Sequence, residues 1–525
     1  MAHAKISVSI EGWHTKWLLS SLTLHQSYND HHVFELSALV PAPSRGKAAL
    51  TQESLISILG QTAHITITRE DKHGGKCSFE GFVDQVVPVW HERACQLRIT
   101  GYSKTMYMDC GPGFRTFCER QVSEIAKKLT GRYGLPLMLR NVRGVASFSV
   151  QTQETDYRYL CRLADAYGNV FSFDGTQLYF GSLSHENSEK FTLRYEEDIK
   201  QVTLSLNISP LNFNLSAYHI ESGQILKQPC KNQCSHSSGL AAEVVQRSYN
   251  TYPAPSIHPF NAVTGQPELK SKAAHLLTKQ AHELLRISGI TNIPGLKIGS
   301  RISITGSGEI FARDEYVVVE VHHVVQNDRA YHNSFTAVPS GYPFPLRMQN
   351  SRNPVCGPVM AVVKDHRDPE QLGRVRVQFI GDEEQTLSPW LRVLTAYTGF
   401  GGMYFLPEKD DRVLVFAEDM NIEKSPFVLP AFYQGLAPAR QWYDPENKKK
   451  GFTTEKTAFT IDDRSGKLCI QAEEIEIVSR KKMKIDGGRE LQQQAQVVES
   501  RAGQDMNLDG GAHLTLKAAR IDLNP

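Results

Sequence analysis

The stretch from Val359 to Gly435 constrains the fold of this chain more than any other. From Arg374 to Phe379, apolar and polar residues alternate, a period that places one strand face against a core and the other in water. Trp390 to Val393 repeats this alternation, and Val413 to Phe416 is apolar throughout, which predicts a strand buried on both faces. Turn residues separate these short runs. The pattern predicts a small closed β-barrel of about five strands.

Four motifs in this stretch resemble a known family. They are Asp368-Pro369 followed by Leu372 to Val377, then Ser388 to Val393, Phe405 to Glu408, and Val413 to Phe416. Their order and spacing are similar to those of the OB-fold barrel of VgrG proteins, the central spikes of type VI secretion systems, which are related to phage tail hubs. The resemblance implies an OB-fold collar at residues 352–436 with a structural role, because a fold does not fix a ligand.

Composition limits the function classes. The 525 residues allow three or four domains with cores of their own. Lys and Arg number 58 against 56 acids, a net charge of +2, so we expect no nucleic-acid partner. The N-terminus leads straight into an alternating strand, without the apolar core of a signal peptide or a membrane-spanning run. We expect assembly in the cytoplasm; the resemblance implies later secretion through the injection machine to the outside or a target cell.

Residues 1–345 read as strands interrupted by helices. Two helical stripes follow the first strands: one contains Val122, Ile125, Ala126 and Leu129, and the other runs from Leu160 to Tyr167 after a Thr155 or Asp156 cap. A third helix is predicted from Leu269 to Arg286, closing at Gly289.

An internal echo joins the two ends of this region. Phe79 to Val86 followed by Leu97 to Thr100 resembles Glu315 to Val321 followed by Asn333 to Val338. Each is a strand, a polar loop and a strand. Any two hairpins can share so simple a sequence pattern, so the similarity alone does not decide whether the two segments arose by duplication.

The VgrG resemblance extends over this region. Phe117 to Leu135, Val150 to Tyr157, and Asp314 to Pro339 are similar to family segments. The resemblance implies a phage tail-hub-like domain at residues 1–345, with two β-barrels plus helices, and a mainly β fold overall. Three such chains would present six similar faces, matching the six-fold rings of an inner tube.

The C-terminus follows its own rule. A polar linker is predicted at residues 437–450, and apolar pairs then recur about every eight residues up to Ile521 and Leu523. Such pairs cannot bury a face within one chain of this length, whereas three intertwined copies bury them on a common axis. The segment resembles the family's trimeric β-helix needle, assigned here to residues 451–525. The glutamine-rich part leaves the path of residues 487–505 open. The predicted needle core consists of Ile475, Ile477, Met483, Ile485, Met506, Leu508, Leu514 and Leu516.

Candidate chemistry is sparse. Cys230, Cys234 and His236 form the one cluster worth testing as a metal site, yet a second ligand pair is missing, and incidental thiols are the better interpretation. The adjacent pairs His31-His32 and His322-His323 point to opposite strand faces and cannot easily share a metal. No nucleophile elbow, phosphate loop or zincin motif is present. We therefore expect no catalytic residue, no metal and no cofactor.

The residues and the resemblance together favour a mechanical role. The resemblance implies a homotrimeric cell-puncturing spike that sits on a hexameric tube protein (Hcp-like), contacts baseplate components, and carries effector proteins. A PAAR-type tip protein would cap the needle at Ile521, Leu523, Asn524 and Pro525, because apolar residues at a needle end need cover.

Two alternatives stay open. One is the spike of an extracellular contractile injection particle or phage tail. The other is a trimeric receptor- or glycan-binding protein, for which Trp390, Tyr397, Phe400 and Tyr404 are candidates. We expect these aromatics to lie in the barrel core, which disfavours the second alternative.

Overall fold

The computed structural model places the chain in two compact units, Met1–Gln434 and Gly435–Pro525. The structure describes residues 2–14, 16–28, 30–41, 50–69, 75–91, 94–182, 188–219, 224–231, 239–257, 262–263, 265–282, 284–306, 311, 315–326, 330–340, 357–398, 403–417, 421–423, 425–430 and 442–522.

The chain begins with the alternating strands that the sequence predicts. The elements are β1 (Ala2–His3), β2 (Lys5–Ile10), β3 (Leu18–Ser27), β4 (Val33–Pro41), α1 (Gln52–Ile56), β5 (Thr62–Thr68), β6 (Lys76–His91) and β7 (Ala94–Ser103). They pair antiparallel in the order β3-β4-β7-β6-β5-β2. Their inward residues, among them Leu24, Phe34 and Ile65, form the largest apolar core of the unit.

A helical layer packs against this core. It contains a short 3-10 helix (Lys104–Asp109), β8 (Pro112–Gln121), α2 (Val122–Gly131), β9 (Leu137–Arg140), β10 (Val145–Thr155), α3 (Asp156–Ala166), β11 (Val170–Phe173) and β12 (Leu178–Gly181). Both predicted stripes are confirmed, since their apolar residues are buried, apart from Tyr167, which is partly buried and follows the last residue of α3. The Thr155 hydroxyl accepts a hydrogen bond from the Arg158 amide at 3.3 Å, so the predicted cap is also confirmed.

Residues 1–345 are called the hub below, and their second half starts after this layer. Its elements are β13 (Lys190–Arg194), β14 (Ile199–Leu206), β15 (Phe213–His219), β16 (Gln224–Cys230), α4 (Leu240–Thr251), β17 (Ser256–Ile257), β18 (Ala262–Val263), α5 (Gln266–His282), β19 (Leu285–Thr291), β20 (Arg301–Thr305), β21 (Tyr316–Val325) and β22 (Ala330–Pro339).

The predicted end of the third helix is wrong. The helix α5 ends at His282, and Leu285 already belongs to β19. The alternating Leu285, Ile287 and Gly289 serve the sheet: the two apolar side chains are buried, and the Phe335 ring fills the space beside Gly289. Burial in the sheet outweighs the continued helical pattern.

Thirteen of the described strands form one sheet, in which β21 of the second half pairs with β3 of the first half and thereby joins the two halves. The strands β8 to β12 and β15 to β18 lie in separate smaller sheets. Among the described strands of the two halves, neither half closes into a barrel of its own, so the two hub barrels stay a prediction. Each half repeats the same hairpin, β6 with β7 and β21 with β22. Both hairpins carry a β-bulge at the same place, between Val83 and Gln85 and between Val318 and Glu320. A matched bulge is a specific feature, which favours a duplication over chance resemblance.

The predicted closed barrel follows. It consists of β23 (Val359–Asp365), β24 (Arg374–Phe379), β25 (Leu391–Val393), β26 (Arg412–Phe416) and β27 (Phe427–Leu429), closed in the order β23-β24-β25-β27-β26. The burial of β26 differs from the prediction. Only Val413 and Val415 are fully buried, while Leu414 and Phe416 keep partial access to solvent. A barrel strand has one interior face, so an all-apolar run does not imply burial on both.

The second unit begins with an antiparallel meander of β28 (Lys449–Thr453), β29 (Ala458–Asp462) and β30 (Lys467–Gln471). Two residues of the predicted linker, Lys449 and Lys450, lie in its first strand. The rings of Phe452 and Phe459 stack across the first pair of strands, with centroids 5.5 Å apart.

A buried polar cluster lies where the halves of the hub meet. Gln26 on β3 contacts His32, with Gln26 Nε2 3.3 Å from His32 Nδ1, and accepts from His323 Nε2 at 3.3 Å. The Tyr331 hydroxyl donates to His323 Nδ1 at 2.8 Å and accepts from Asn333 at 2.6 Å. Burial lowers the pKa of both His32 and His323 to about 3, so His323 is neutral at ordinary pH. With Nε2 donating to Gln26, its Nδ1 is the acceptor for the Tyr331 hydroxyl.

We predict that these histidines make the hub acid-sensitive. Their pKa values are about 3 in the folded chain against an ordinary 6.5, so the unfolded chain binds the protons. Their contribution is therefore fully present above about pH 6.5 and is lost as the pH falls towards about 3. Urea midpoints measured from neutral to acidic pH should fall less steeply for His32→Asn or His323→Gln than for the unaltered chain.

The matched control is His64→Gln, because the His64 ring is half exposed. Its pH dependence should equal that of the unaltered chain. Equal slopes in all four proteins would rule out the buried histidines as the origin of the acid sensitivity.

Candidate functional site

The C-terminal segment from Glu473 to Asp522 presents every residue to solvent. All eight predicted needle-core residues are exposed in the single chain, including Ile477 at 72% and Leu508 at 67%. Within the described residues of this segment, no strand ladder forms after Gln471. Backbone amides and apolar side chains are thus both left uncovered, an arrangement typical of a surface that another chain covers.

Leu491 belongs to this apolar ladder but was missed in the sequence. It follows Met483 by eight residues and is exposed like the other members. The neighbouring glutamines mask it, and the eight-residue step was the signal that could have found it. The segment 487–505 starts with a turn at Gly487-Gly488 and continues without a ladder partner among the described residues.

The predicted tip is only partly described. Ile521 is half exposed, and Arg520 next to it pairs with Asp522 at 2.9 Å. Leu523, Asn524 and Pro525 lie outside the described residues.

A second feature, the junction between the hub and the barrel, is built from an acidic turn after β24. Asp382 is buried and accepts from the amide of Thr116 on β8 at 2.9 Å, as well as from the amides of Glu384 and Thr386 in its own turn. Glu383 accepts from Arg115 on the hub at 3.1 Å. These contacts fix the barrel to the helical layer by charge-assisted hydrogen bonds.

Arg115 extends this network into the hub interior. Its side chain is only 4% exposed and pairs with Asp156, the first residue of α3. Gln151 donates to the same carboxylate at 2.8 Å, and the Tyr133 hydroxyl donates to it at 2.8 Å. Burial and the neighbouring Asp156 raise the pKa of Tyr133 to about 12, so this hydroxyl keeps its proton. Each buried charge therefore has a partner, as stability requires.

A second ion cluster holds the far side of the barrel. Arg162 on α3 donates to Glu154 at 2.6 Å and to Glu423 of the barrel at 2.8 Å. Glu423 also accepts from the amide of Val150 at 2.7 Å. Burial acts to lower the pKa of Arg162, but Glu423 and Glu154 outweigh it and raise that pKa. Burial raises the pKa of Glu154, which shows how much its charge depends on Arg162.

Aromatic packing closes the same junction. The rings of Phe114 and Phe148 on the hub lie 6.2 and 6.3 Å from the ring of Phe379 at the end of β24. Val150 of the hub is fully buried among the barrel's core residues. The hub therefore contributes Phe114, Phe148 and Val150 to the core of the barrel, a close-packed contact that fixes the two against each other.

The candidate metal and histidine positions do not converge. Cys230 is buried at the end of β16, whereas Cys234 and His236 lie outside the described residues. His322 keeps contact with solvent while His323 is fully buried, so the prediction of opposite faces is confirmed. Among the described residues, no group of three or more His, Cys, Asp or Glu could hold a metal ion.

The aromatics that we expected in the barrel core are not there. Tyr397 and Tyr404 are 59% and 71% exposed, and Trp390 is partly exposed with Arg376 over its ring. Phe400 lies outside the described residues. The expectation is wrong because the tyrosines belong to the long loop between β25 and β26, which the alternating strand pattern does not include.

We predict that Arg162→Met destabilises the full chain by about 3 kcal/mol, because it leaves two largely buried carboxylates, Glu154 and Glu423 at 10% and 17% exposure, uncompensated. Urea midpoints at neutral pH measure the effect. The added substitution Glu423→Gln should restore part of the loss, since it removes one of the two charges.

The control is Arg367→Met, whose arginine pairs with Asp365 on the barrel surface and is 86% exposed. It should change the midpoint little, as surface pairs do. An equal loss in both single variants would contradict a special role for the junction.

Comparison with known proteins agrees with this architecture. A family model described as phage tail baseplate hub (GPD) matches residues 27–329, and one described as type VI secretion system/phage-baseplate injector OB domain matches residues 359–433. No curated protein sequence matches the chain significantly. Among the described residues, no helix has the length and apolar character needed to cross a membrane.

Two solved structures show the same fold. The Escherichia coli c3393 protein, a type VI secretion component described as similar to the T4 tail proteins gp27 and gp5, has a TM-score of 0.54 and 14% identity over 80% of this chain and 99% of its own. The lidded Francisella PdpA–VgrG complex has a TM-score of 0.54 and 8% identity, over 90% of this chain and 80% of its own. The chain belongs to the phage tail baseplate hub family, carries the injector OB domain after its hub, and shares the fold of VgrG spikes.

Proposed function

We propose that this protein is the structural, cell-puncturing spike of a type VI secretion system. It acts as a homotrimer on a hexameric inner tube, bears a tip cap and effectors, and is itself secreted when the machine fires. It performs no catalysis of its own. The observation that carries the proposal is a pair of strand edges on the hub sheet that have no partner strand among the described residues.

The first edge lies on β6. Its N-terminal part pairs with β5 up to Phe82, whereas Gln85 to Trp90 pair only with β7 among the described residues. The matched bulges align Gln85 to Trp90 with Glu320 to Val325 on β21. In the second half, these β21 residues pair with β3, at Leu22 to Ser27.

The second edge lies on β14, which ends the sheet and pairs only with β19 among the described residues. In the first half, β3 pairs with β4 and β4 with β7; in the second half, β14 pairs with β19 and β19 with β22. Because β7 and β22 are equivalent strands of the repeated hairpin, β14 is the counterpart of β3. Following the paired residues across the strands, Val202 corresponds to Leu22 and Leu204 to Leu24. The β6 edge is thus the counterpart of β21, and the β14 edge is the counterpart of β3. Pairing the β6 edge of one copy with the β14 edge of the next would reproduce the β21–β3 contact that occurs within one chain. A neighbouring copy can repeat that contact.

Side-chain burial supports this pairing. At the contact within the chain, Val325 and Gln26 are almost fully buried. Their counterparts at the two edges, Trp90 and Leu206, are 65% and 48% exposed. Pairing between copies would cover both. Two equivalent halves per chain make three copies into a six-fold inner ring, which fits a hexameric tube protein of the Hcp type.

The remaining assignments rest on the C-terminal unit and the junction. The exposed eight-residue ladder fits an intertwined trimeric β-helix, in which each copy covers the others. The ion clusters and shared core at the junction suit a collar that transfers axial load. Ile521 and the residues after it would bind a PAAR-type tip protein. The PdpA–VgrG complex supports protein cargo as a further partner.

The oligomeric state tests the proposal. Light scattering after size exclusion should give three times the chain mass of 58.9 kDa. A chain ending at Asp444 should dissociate at concentrations at which the full chain does not. Introducing Val87→Cys together with Ser205→Cys should yield disulfide-linked copies, because these residues correspond to the facing pair His322 and His25.

The control pair Val87→Cys with Leu204→Cys is shifted by one residue and points to opposite faces, so it should not link. A monomeric full chain would contradict both the proposed trimeric needle and the proposed ring. A trimer that links through the shifted pair would overturn the proposed edge register.

The exposed Tyr397 and Tyr404 favour a second candidate, glycan binding by the barrel loop. Exposed aromatic rings can stack on sugars, and OB folds bind oligosaccharides in other proteins. Calorimetric titration with soluble bacterial cell-wall oligosaccharides separates the two functions. Binding that Tyr404→Ala abolishes would favour the glycan-binding protein, whereas we expect no heat of binding from the spike.

A further inference from the structure

A nine-residue segment occurs twice in the C-terminal unit. Met483 to Leu491 reads Met-Lys-Ile-Asp-Gly-Gly-Arg-Glu-Leu, and Met506 to Leu514 reads Met-Asn-Leu-Asp-Gly-Gly-Ala-His-Leu. Both have the form Met-x-aliphatic-Asp-Gly-Gly-x-x-Leu, and they start 23 residues apart. The eight-residue apolar step alone does not explain the shared Asp-Gly-Gly.

The two copies fold in the same way. The Asp486 carboxylate accepts from the Gly488 amide at 3.1 Å, and Asp509 accepts from the Gly511 amide at 2.8 Å. In each copy, the amide three residues after the first glycine donates back to the carbonyl of that glycine, at 3.1 Å in both cases. Each segment therefore contains a closed turn, and the described residues on either side of it belong to no strand ladder.

Both glycine positions in each turn require glycine. Gly488 and Gly511 have φ of 60° and 57°, which side chains other than glycine rarely adopt. A Cβ on Gly487 would lie 2.6 Å from the carbonyl oxygen of Glu490, and one on Gly510 would lie 2.7 Å from that of His513. The sequence thus maintains the same tight backbone at two separated sites.

The turns also mark a change of register. Apolar residues follow the eight-residue step from Ile475 through Met483 to Leu491, and again from Met506 to Leu514. Leu491 and Met506 are 15 residues apart, one short of two steps. A partner chain whose apolar residues recur every eight residues throughout could match Ile475 to Leu491, but it would be one residue out of register from Met506 onward. Only a partner with the same shortened spacing matches both parts.

We propose that the two Asp-Gly-Gly turns set the register of an interface between copies of this chain. The partner is a second copy, because it carries both turns at the same 23-residue spacing and the same one-residue slip. With the turns level, Leu491 meets Leu491 and Leu514 meets Leu514 around a common axis. This inference rests on the proposed trimer and specifies how its chains align.

Cysteine cross-linking of the full chain tests the alignment. Leu491→Cys and Leu514→Cys, made singly, should each link copies on mild oxidation. Adding Gly488→Val and Gly511→Val should lower the linking yield about tenfold or more, the size that strain at a left-handed backbone position implies. The unaltered chain, with its nine cysteines, gives the background.

The matched control is Gly503→Val. Gly503 lies in the same exposed segment, a Cβ there meets no atom within 4 Å, and its backbone is not left-handed. Its linking yield should equal that of the Leu→Cys variant alone. A trimer whose linking survives the turn substitutions, or is lost equally in the control, overturns the inference but leaves the proposed function standing. A monomer overturns both.

Discussion

Unsatisfied backbone hydrogen-bonding groups govern this molecule. The N–H and C=O groups along every strand edge must be hydrogen-bonded to water, covered by another part of the chain, or paired with another strand. An edge that is both exposed and apolar favours pairing with another chain. Within the hub, β21 meets this need by pairing with β3. The equivalent edges on β6 and β14 carry apolar side chains that solvent reaches, and the residues beyond Gln471 combine an open backbone with an exposed apolar ladder. These open edges are the surfaces at which we propose that copies of the chain pair.

The joint between hub and barrel uses the opposite solution. There, Arg115 and Asp156 are buried and paired, and Arg162, Glu154 and Glu423 are largely buried and paired, next to a shared aromatic contact at Phe379. Buried ion pairs add little net stability, but they penalise any displacement that separates the charges. A joint of this kind holds one relative position of hub and barrel.

Local periodicity explains which parts of this architecture the sequence could predict. The barrel strands and both stripes in α2 and α3 follow from spacing alone, since each buries a face of its own. Three features did not follow. The end of α5 depends on Phe335, which is distant in sequence and fills the space beside Gly289. The exposure of Tyr404 depends on a long loop. The junction pairs, such as Arg162 with Glu423, are separated by more than 250 residues and leave no local pattern.

The duplicated hairpin in the hub has a consequence for symmetry. The bulges at Val83 and Val318 match, yet the outermost pairs differ, since β2 and β5 run antiparallel whereas β13 and β20 run parallel. In a ring of three copies, the conserved hairpins repeat six times, but the divergent outer strands repeat only three times. In the proposed trimer, one polypeptide would thereby combine six-fold symmetry at its inner strands with three-fold symmetry at its outer ones.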